Sequence, residues 1–267
     1  MQELFVRGIT LPRAYHSALR ALYEHHDEVP VPDYKTNQKE ASVTFVVENP
    51  LEEPMISRLF VGDPRSLEQY RQEICDGILD FEVDKGNWHY TYHDRIVRYP
   101  SFRFDDPQGL IDDTPINQLR WVIDELKRNP DSRRAVIDVR HTPSDMISDS
   151  PACLQNLQFF IRNDMLHMKV LIRSNDAAKA AFMNAFAFIM LQKKVADQLG
   201  LPVGTYTHRA NSFHVYEKDY EVFDAYYNHI VSELLADLTY DYIGDWDEMM
   251  QESQSDIARM VEEQKKK

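Results

Sequence analysis

The chain has 267 residues, of which 43% are hydrophobic, with 30 Lys+Arg against 44 Asp+Glu and a formal net charge of −14. That is an ordinary globular composition with enough apolar mass for a large core, and it excludes collagen, extended disorder and, with Cys75 and Cys153 as the two cysteines, a disulfide scaffold. The acidic balance argues against a nucleic-acid duplex as the main partner; the excess concentrates in Glu217–Lys267, where 14 acids stand against 5 bases on what reads as a solvated surface.

Met1–Phe5 lacks the basic region and apolar run of a secretory signal. Leu11–His26 places Leu19, Leu22 and Tyr23 at helical spacing, and Ala41–Glu48 is β-branched and aromatic like a strand. Asp63-Pro64-Arg65-Ser66 reads as a turn and N-cap leading into a helix through Ile74 and Ile78. Pro115–Lys127 reads as another helix, stopped by Asn129-Pro130-Asp131-Ser132 before a short strand, Arg134–Val139. Leu154–Arg162, a turn at Asn163-Asp164 and Met165–Arg173 form a predicted hairpin. Ala177–Leu199 is a long predicted helix closed by Gly200 and Pro202; its apolar stretch, Ala180–Leu191, is interrupted by Asn184 and is too short to span a bilayer. Tyr206–Tyr216 reads as a strand, Asp219–Leu238 as a helix, and Asp245–Lys267 as a polar helix that frays from about residue 250. Neither repeats nor a low-complexity linker divides the chain. The expectation is a single domain over 1–267, of α+β class, with a mixed, largely antiparallel sheet covered by helices, in a reduced, soluble, cytoplasmic protein without a membrane partner. The strands around Leu157 and Val170 are apolar at more positions than a one-sided sheet needs, which points to another subunit on the second face.

The chemistry-bearing residues concentrate between Ser150 and Tyr216. Cys153 follows a proline bend at the edge of a strand, and the hairpin brings Arg173 back beside it; a guanidinium there would favour the thiolate that a cysteine nucleophile requires. Arg173-Ser174-Asn175-Asp176 precedes the long helix, so these residues either cap it or, with the helix N-terminus, hold a phosphate. Asn184 is a carboxamide in an apolar run, and its groups must be met by a structural hydrogen bond or by a ligand such as a pyrimidine edge. His214 and Tyr216 alternate by two on one strand face, either as satisfied interior groups or as partners of a sugar hydroxyl. Arg133 and Arg134 are either solvent-exposed or a second anion clamp.

Cys153, Gln158, Arg173-Ser174-x-Asp176, Asn184 and His214-x-Tyr216, with Pro130-Asp131-Ser132-Arg133-Arg134 upstream, together resemble the thymidylate synthase family, and the spacing from Cys153 to Tyr216 is kept without a gap. The resemblance implies a sheet-to-sheet homodimer that transfers a one-carbon unit from methylenetetrahydrofolate, without a metal, to C5 of a pyrimidine nucleotide. By the same resemblance Cys153 adds to C6, Arg173 and Ser174 hold the 5′-phosphate, and Arg133 and Arg134 reach the same phosphate from the partner subunit. It also implies that Asn184 reads the pyrimidine O4/N3 edge, that Asp176 lies at the base and folate side, and that His214 and Tyr216 bind the 3′-hydroxyl. Gln158 lines the pocket, Tyr92 lies near C5, and the acid–base glutamate is Glu73 or Glu68, with Glu73 favoured.

The sequence departs from the family pattern at several places. The Arg-Thr-Gly-Thr-Gly phosphate loop is not recognisable, with Lys35 or Arg7 as candidate substitutes; Leu154 stands where a histidine usually follows the nucleophile; and Trp88 is the one tryptophan in the region of the family's folate-pocket pair. Gln264-Lys265-Lys266-Lys267 does not resemble an apolar closing tail. A site without those closing groups would admit water, so a hydroxymethylase acting on dUMP, dCMP or CMP stands beside dUMP methylation as the expected activity. Asn184 favours uracil. A Cys–His hydrolase built on Cys153 and His214 and a silent nucleotide-binding protein are the alternatives of other classes.

Overall fold

The structure, a computed structural model, describes residues 1–100 and 114–267. Its mixed sheet and helices agree with the expected α+β class. The chain runs β1 (Glu3–Gly8), α1 (Leu11–His25), β2 (Asp27–Val31), β3 (Thr36–Val47), β4 (Ile56–Ser57), α2 (Pro64–Asp76), α3 (Phe81–Asp84) and α4 (Tyr92–Val97). It continues through α5 (Gln118–Arg128), β5 (Val136–Asp138), α6 (Thr142–Asp145), β6 (Leu154–Arg162), β7 (Met165–Asp176), α7 (Ala181–Leu199), β8 (Val203–Tyr216), α8 (Tyr220–Ser232), β9 (Thr239–Tyr240) and α9 (Asp247–Lys265).

Among the described residues, seven strands form one sheet in the order β1-β3-β8-β7-β6-β5, with β2 paired to β3. β1–β3 and β7–β8 are parallel and the other pairs antiparallel. The turn between β6 and β7 is made by Asn163 and Asp164 at φ 51° and 56°, left-handed angles that these two residue types tolerate better than other side chains. On one sheet face Leu157, Phe159, Met168, Val170, Ile172, Tyr206, Ala210, Val43 and Phe45 are buried with the helices α1 and α7. The opposite face carries the row Phe5–Thr44–Arg209–Leu171–Asn156, and beside it the row Arg7–Val46–Thr207–Lys169–Gln158. No described helix is long and apolar enough to cross a membrane.

Several boundaries differ from the sequence expectation. β1 and β2 are short edge strands that the sequence reading did not single out: the apolar run of β1 is only Leu4-Phe5-Val6, and β2 opens on Asp27-Glu28 and contains Pro30. α2 stops at Asp76 because Gly77 adopts φ 67°, leaving Ile78 outside the helix. α5 begins after Asn117, whose side chain caps Arg120 N–H, rather than at Pro115. α8 ends at Ser232 rather than Leu238. β7 runs on to Asp176 and α7 begins only at Ala181, so Arg173-Ser174-Asn175-Asp176 is the end of a strand and not a helix cap. The C-terminal helix continues to Lys265, with Met250, Ile257 and Val261 buried along its length, in place of an end fraying from about residue 250.

Candidate active site

Strand direction assembles the site. β7 and β8 run parallel and pair Asp176 with His214 and Ser174 with Ser212, so their carboxyl ends deliver Ser174, Asp176, His214 and Tyr216 to one edge. β6 is antiparallel to β7, so its beginning lies at the same edge: Arg173 N–H donates to Cys153 C=O at 2.8 Å. α7 then crosses that edge with Asn184 near its start. Together Cys153, Arg173, Ser174, Asp176, Asn184, His214, Tyr216, Tyr92 and Tyr70 line a cavity of about 610 Å³. Tyr70 and Tyr92 also line an adjoining cavity of about 410 Å³ with Glu73, Trp88 and Tyr90.

The Arg173 guanidinium donates through Nε to Ala152 C=O at 3.1 Å and through Nη2 to Pro151 C=O at 2.8 Å, which fixes the bend before Cys153. Arg173 acts on the Cys153 thiol in the expected direction, downward, but burial outweighs it and the net shift is upward. Burial raises that thiol, and the guanidinium offsets the rise only partly, because its N–H groups already face carbonyl oxygens. Tyr92 Oη accepts from Leu154 N–H at 3.3 Å, which ties α4 to the residue after the cysteine, and burial raises its phenol.

Asp176 Oδ1 accepts from Ala178 and Lys179 N–H at 3.1 and 3.0 Å; its carboxyl is pushed up by burial. Burial pushes the His214 imidazole down, with Asp176 opposing. The rings of His214 and Tyr216 meet edge-on with centroids 4.7 Å apart, as their shared strand face requires. Tyr15 O–H donates to Ala177 C=O at 2.8 Å and anchors the turn between β7 and α7.

The two glutamates of α2 separate cleanly. Glu68 is buried and accepts from Arg71, Gln72 and Gln254, so it is spent on packing α2 against α9. Glu73 lines the smaller cavity, and burial raises its carboxyl. Five residues on a helix turn a side chain by roughly 140°, which is why one glutamate faces α9 and the other the cavity.

Five expected residues lie outside the larger cavity. Gln158 does not line the cavity, correcting that expectation; its amide donates to Arg133 C=O at 3.0 Å on the open sheet face. Cys153 and Gln158 are five residues apart along a strand, roughly 16 Å, beyond the reach of an arginine side chain. Arg133 and Arg134 therefore stay outside the cavity. Arg134 pairs with Glu125 at 2.8 Å, and the Arg133 side chain is exposed. Lys35 and Arg7 do not line the cavity either, and Arg7 faces Glu48 at 3.6 Å. Asp33 and Tyr34 also line the cavity, which sequence reading missed, as it missed Asp149 and Tyr70. Tyr70 had a readable signal: it sits one helical turn before Glu73.

A thymidylate synthase family profile matches residues 62–241. A protein of Methanocaldococcus jannaschii, provisionally named thymidylate synthase, is 31% identical over 209 residues, covering 75% of this chain and 86% of the relative. A Methanosarcina barkeri protein with the same provisional name is 26% identical over 219 residues, 81% of this chain and 91% of its own. Among solved structures, the thermostable thymidylate synthase A of Bacillus subtilis superposes with a TM-score of 0.61 at 16% identity, covering 82% of this chain and 84% of that one, which establishes the shared fold. With the family profile covering more than half of the sequence and the M. jannaschii relative above 30% identity over most of both lengths, the chain belongs to the thymidylate synthase family.

Proposed function

We propose that the protein transfers a one-carbon unit from methylenetetrahydrofolate to C5 of a pyrimidine nucleotide, converting dUMP to dTMP through a Cys153–C6 adduct. The observation that carries this reading is the convergence of Cys153, Arg173, Asn184 and the His214–Tyr216 pair on one cavity. The Cys153 thiolate adds to C6, and the electron pair moves towards C5 and the C4 oxygen. Asn184 Nδ2 is placed to donate to the oxyanion that develops there. Arg173 Nη1, the guanidinium nitrogen not given to Ala152 and Pro151, and the Ser174 hydroxyl take the phosphate, and His214 and Tyr216 take the 3′-hydroxyl. Tyr92, tied to Leu154, stands by C5, where its neutral phenol can orient a water that takes the proton leaving C5. Folate supplies carbon at the methylene level and, for a methyl product, a hydride; the aromatic walls of Trp88, Tyr90 and Tyr92 fit a flat pterin, and Glu73, whose carboxyl burial raises, lines the same cavity.

Charge supports a homodimer that shares its sites. Arg173 is the one Lys or Arg among the described residues lining the nucleotide cavity, against Asp33, Asp149 and Asp176. A phosphate dianion needs further cations, and the exposed Arg133, beyond reach of the cavity in its own chain, stands free to enter a partner's across the open sheet face, whereas Arg134 would have to leave its pair with Glu125 to join it. Mixing Cys153→Ser with Arg133→Ala tests this. Arg133→Ala alone is expected to lose about tenfold to a hundredfold in activity, the value of one charged hydrogen bond. Hybrid dimers, with one intact site each, should recover about a quarter of wild-type turnover; no recovery on mixing overturns the shared site.

A second reading is favoured by one observation. Trp88 is 46% exposed, and no residue of α9 lines either cavity, which leaves the smaller cavity accessible to water. Water capture of the transferred carbon would give a hydroxymethylase of dUMP, dCMP or CMP. Tritium release from C5 of labelled nucleotide in the presence of methylenetetrahydrofolate tests one-carbon transfer. Product mass then separates the outcomes: a gain of roughly 14 is methyl and roughly 30 hydroxymethyl. No release with dUMP, dCMP and CMP alike overturns both readings.

A further inference from the structure

The Asn184 carboxamide is 8% exposed, and one protein group fixes its orientation. Tyr70, reaching over from α2, donates its phenolic hydrogen to Asn184 Oδ1. Among the described residues nothing accepts from Asn184 Nδ2, and that nitrogen is not a buried orphan, so it faces the cavity that Asn184 lines. Tyr70 lines both cavities, at their junction. Burial holds its phenol well above the ordinary tyrosine value, so the O–H stays a donor across the neutral range. Exchanging the ends of the amide would oblige the phenol to accept instead, a role weakened by conjugation of its oxygen with the ring.

We propose that Tyr70 is a positioning residue that sets base choice: by occupying Asn184 Oδ1 it turns Nδ2 into the cavity and selects a pyrimidine with a keto oxygen at C4 over one with an amino group there. Against a 4-amino group the Nδ2–H would meet another donor, and both would lose a hydrogen bond in a buried site. The inference rests on the reading of this cavity as a pyrimidine nucleotide site. Tyr70 acts through Asn184, so its effect falls on the ratio of affinities for the two bases; a merely structural role would weaken both equally.

Calorimetric titration of the full-length protein with dUMP and with dCMP tests it. The wild type is expected to prefer dUMP, and Tyr70→Phe, which frees the amide to rotate, is expected to cut that preference by about tenfold. Tyr70→Gln keeps a hydrogen bond but can donate or accept, so it is expected to narrow the preference as well and gives a second route should the phenylalanine variant not fold. An unchanged ratio in the folded variants, or a wild-type preference for dCMP, overturns the role of Tyr70 alone. Failure of the wild type to bind either nucleotide overturns the reading of the cavity and this inference with it.

Discussion

Cys153→Ser is expected to abolish turnover, by roughly 10⁴-fold or more as for other lost nucleophiles, while nucleotide binding measured by calorimetry is kept. The hydroxyl fits the same space but does not ionise in the working range, so C6 receives no anion. The charge state of the sulfur gives a second readout. Burial raises the Cys153 thiol and the Arg173 guanidinium recovers only part of the rise. At neutral pH the free enzyme therefore holds less thiolate than an ordinary cysteine, and the rate of alkylation by iodoacetamide should still climb with pH where a free thiol, at about 8.5, begins to level. Cys75 is buried against Ala187 C=O at 3.7 Å and its thiol is pushed up to about 12, so the label should report Cys153. Retained turnover in Cys153→Ser, or alkylation already flat at neutral pH, would contradict this account.

Asp145→Ala is expected to cost about 3–5 kcal/mol of stability in a denaturant titration, because it strands a buried guanidinium. Arg95 and Asp145 are 3% and 4% exposed and form a two-pronged pair at 2.9 and 2.8 Å. Arg95 also donates to Val139 C=O at 2.9 Å and lies over the Tyr90 ring at 4.1 Å. The pair thus joins α4, which carries Tyr92, to the segment leading into Cys153. Activity of the variant should fall even where it remains folded, since Tyr92 and the Cys153 bend lose a common anchor. A loss below about 1 kcal/mol would place this pair with surface ion pairs, which contribute little.

Much of the larger cavity was legible because its residues lie on consecutive elements whose geometry is local. A two-residue turn at Asn163-Asp164 sets the β6–β7 register and so places Arg173 beside Cys153; alternation by two puts His214 and Tyr216 on one face; one amide in an apolar helix marks itself. The smaller cavity was harder to read. Tyr70, Glu73, Trp88 and Tyr90 enter it from α2 and the loops after it, and no local period says which face of α2 meets α7 and which meets α9.

Three further matters are non-local and only the folded chain answers them. Whether Cys153 lies above or below an ordinary thiol depends on burial by residues far away in sequence set against one guanidinium. Whether Arg133 serves its own cavity is a question of distance along β6. Whether Asn184 presents its oxygen or its nitrogen depends on Tyr70, 114 residues earlier. Sequence by itself determined the mixed sheet, the family resemblance and the side chains gathered at the edge by Cys153, because backbone periodicity and turn chemistry act over a few residues. Tertiary structure alone decided the orientation of the amide, the glutamate facing the cavity and the sign of the shift at the sulfur, because electrostatics and hydrogen bonding follow distance in space rather than separation along the chain.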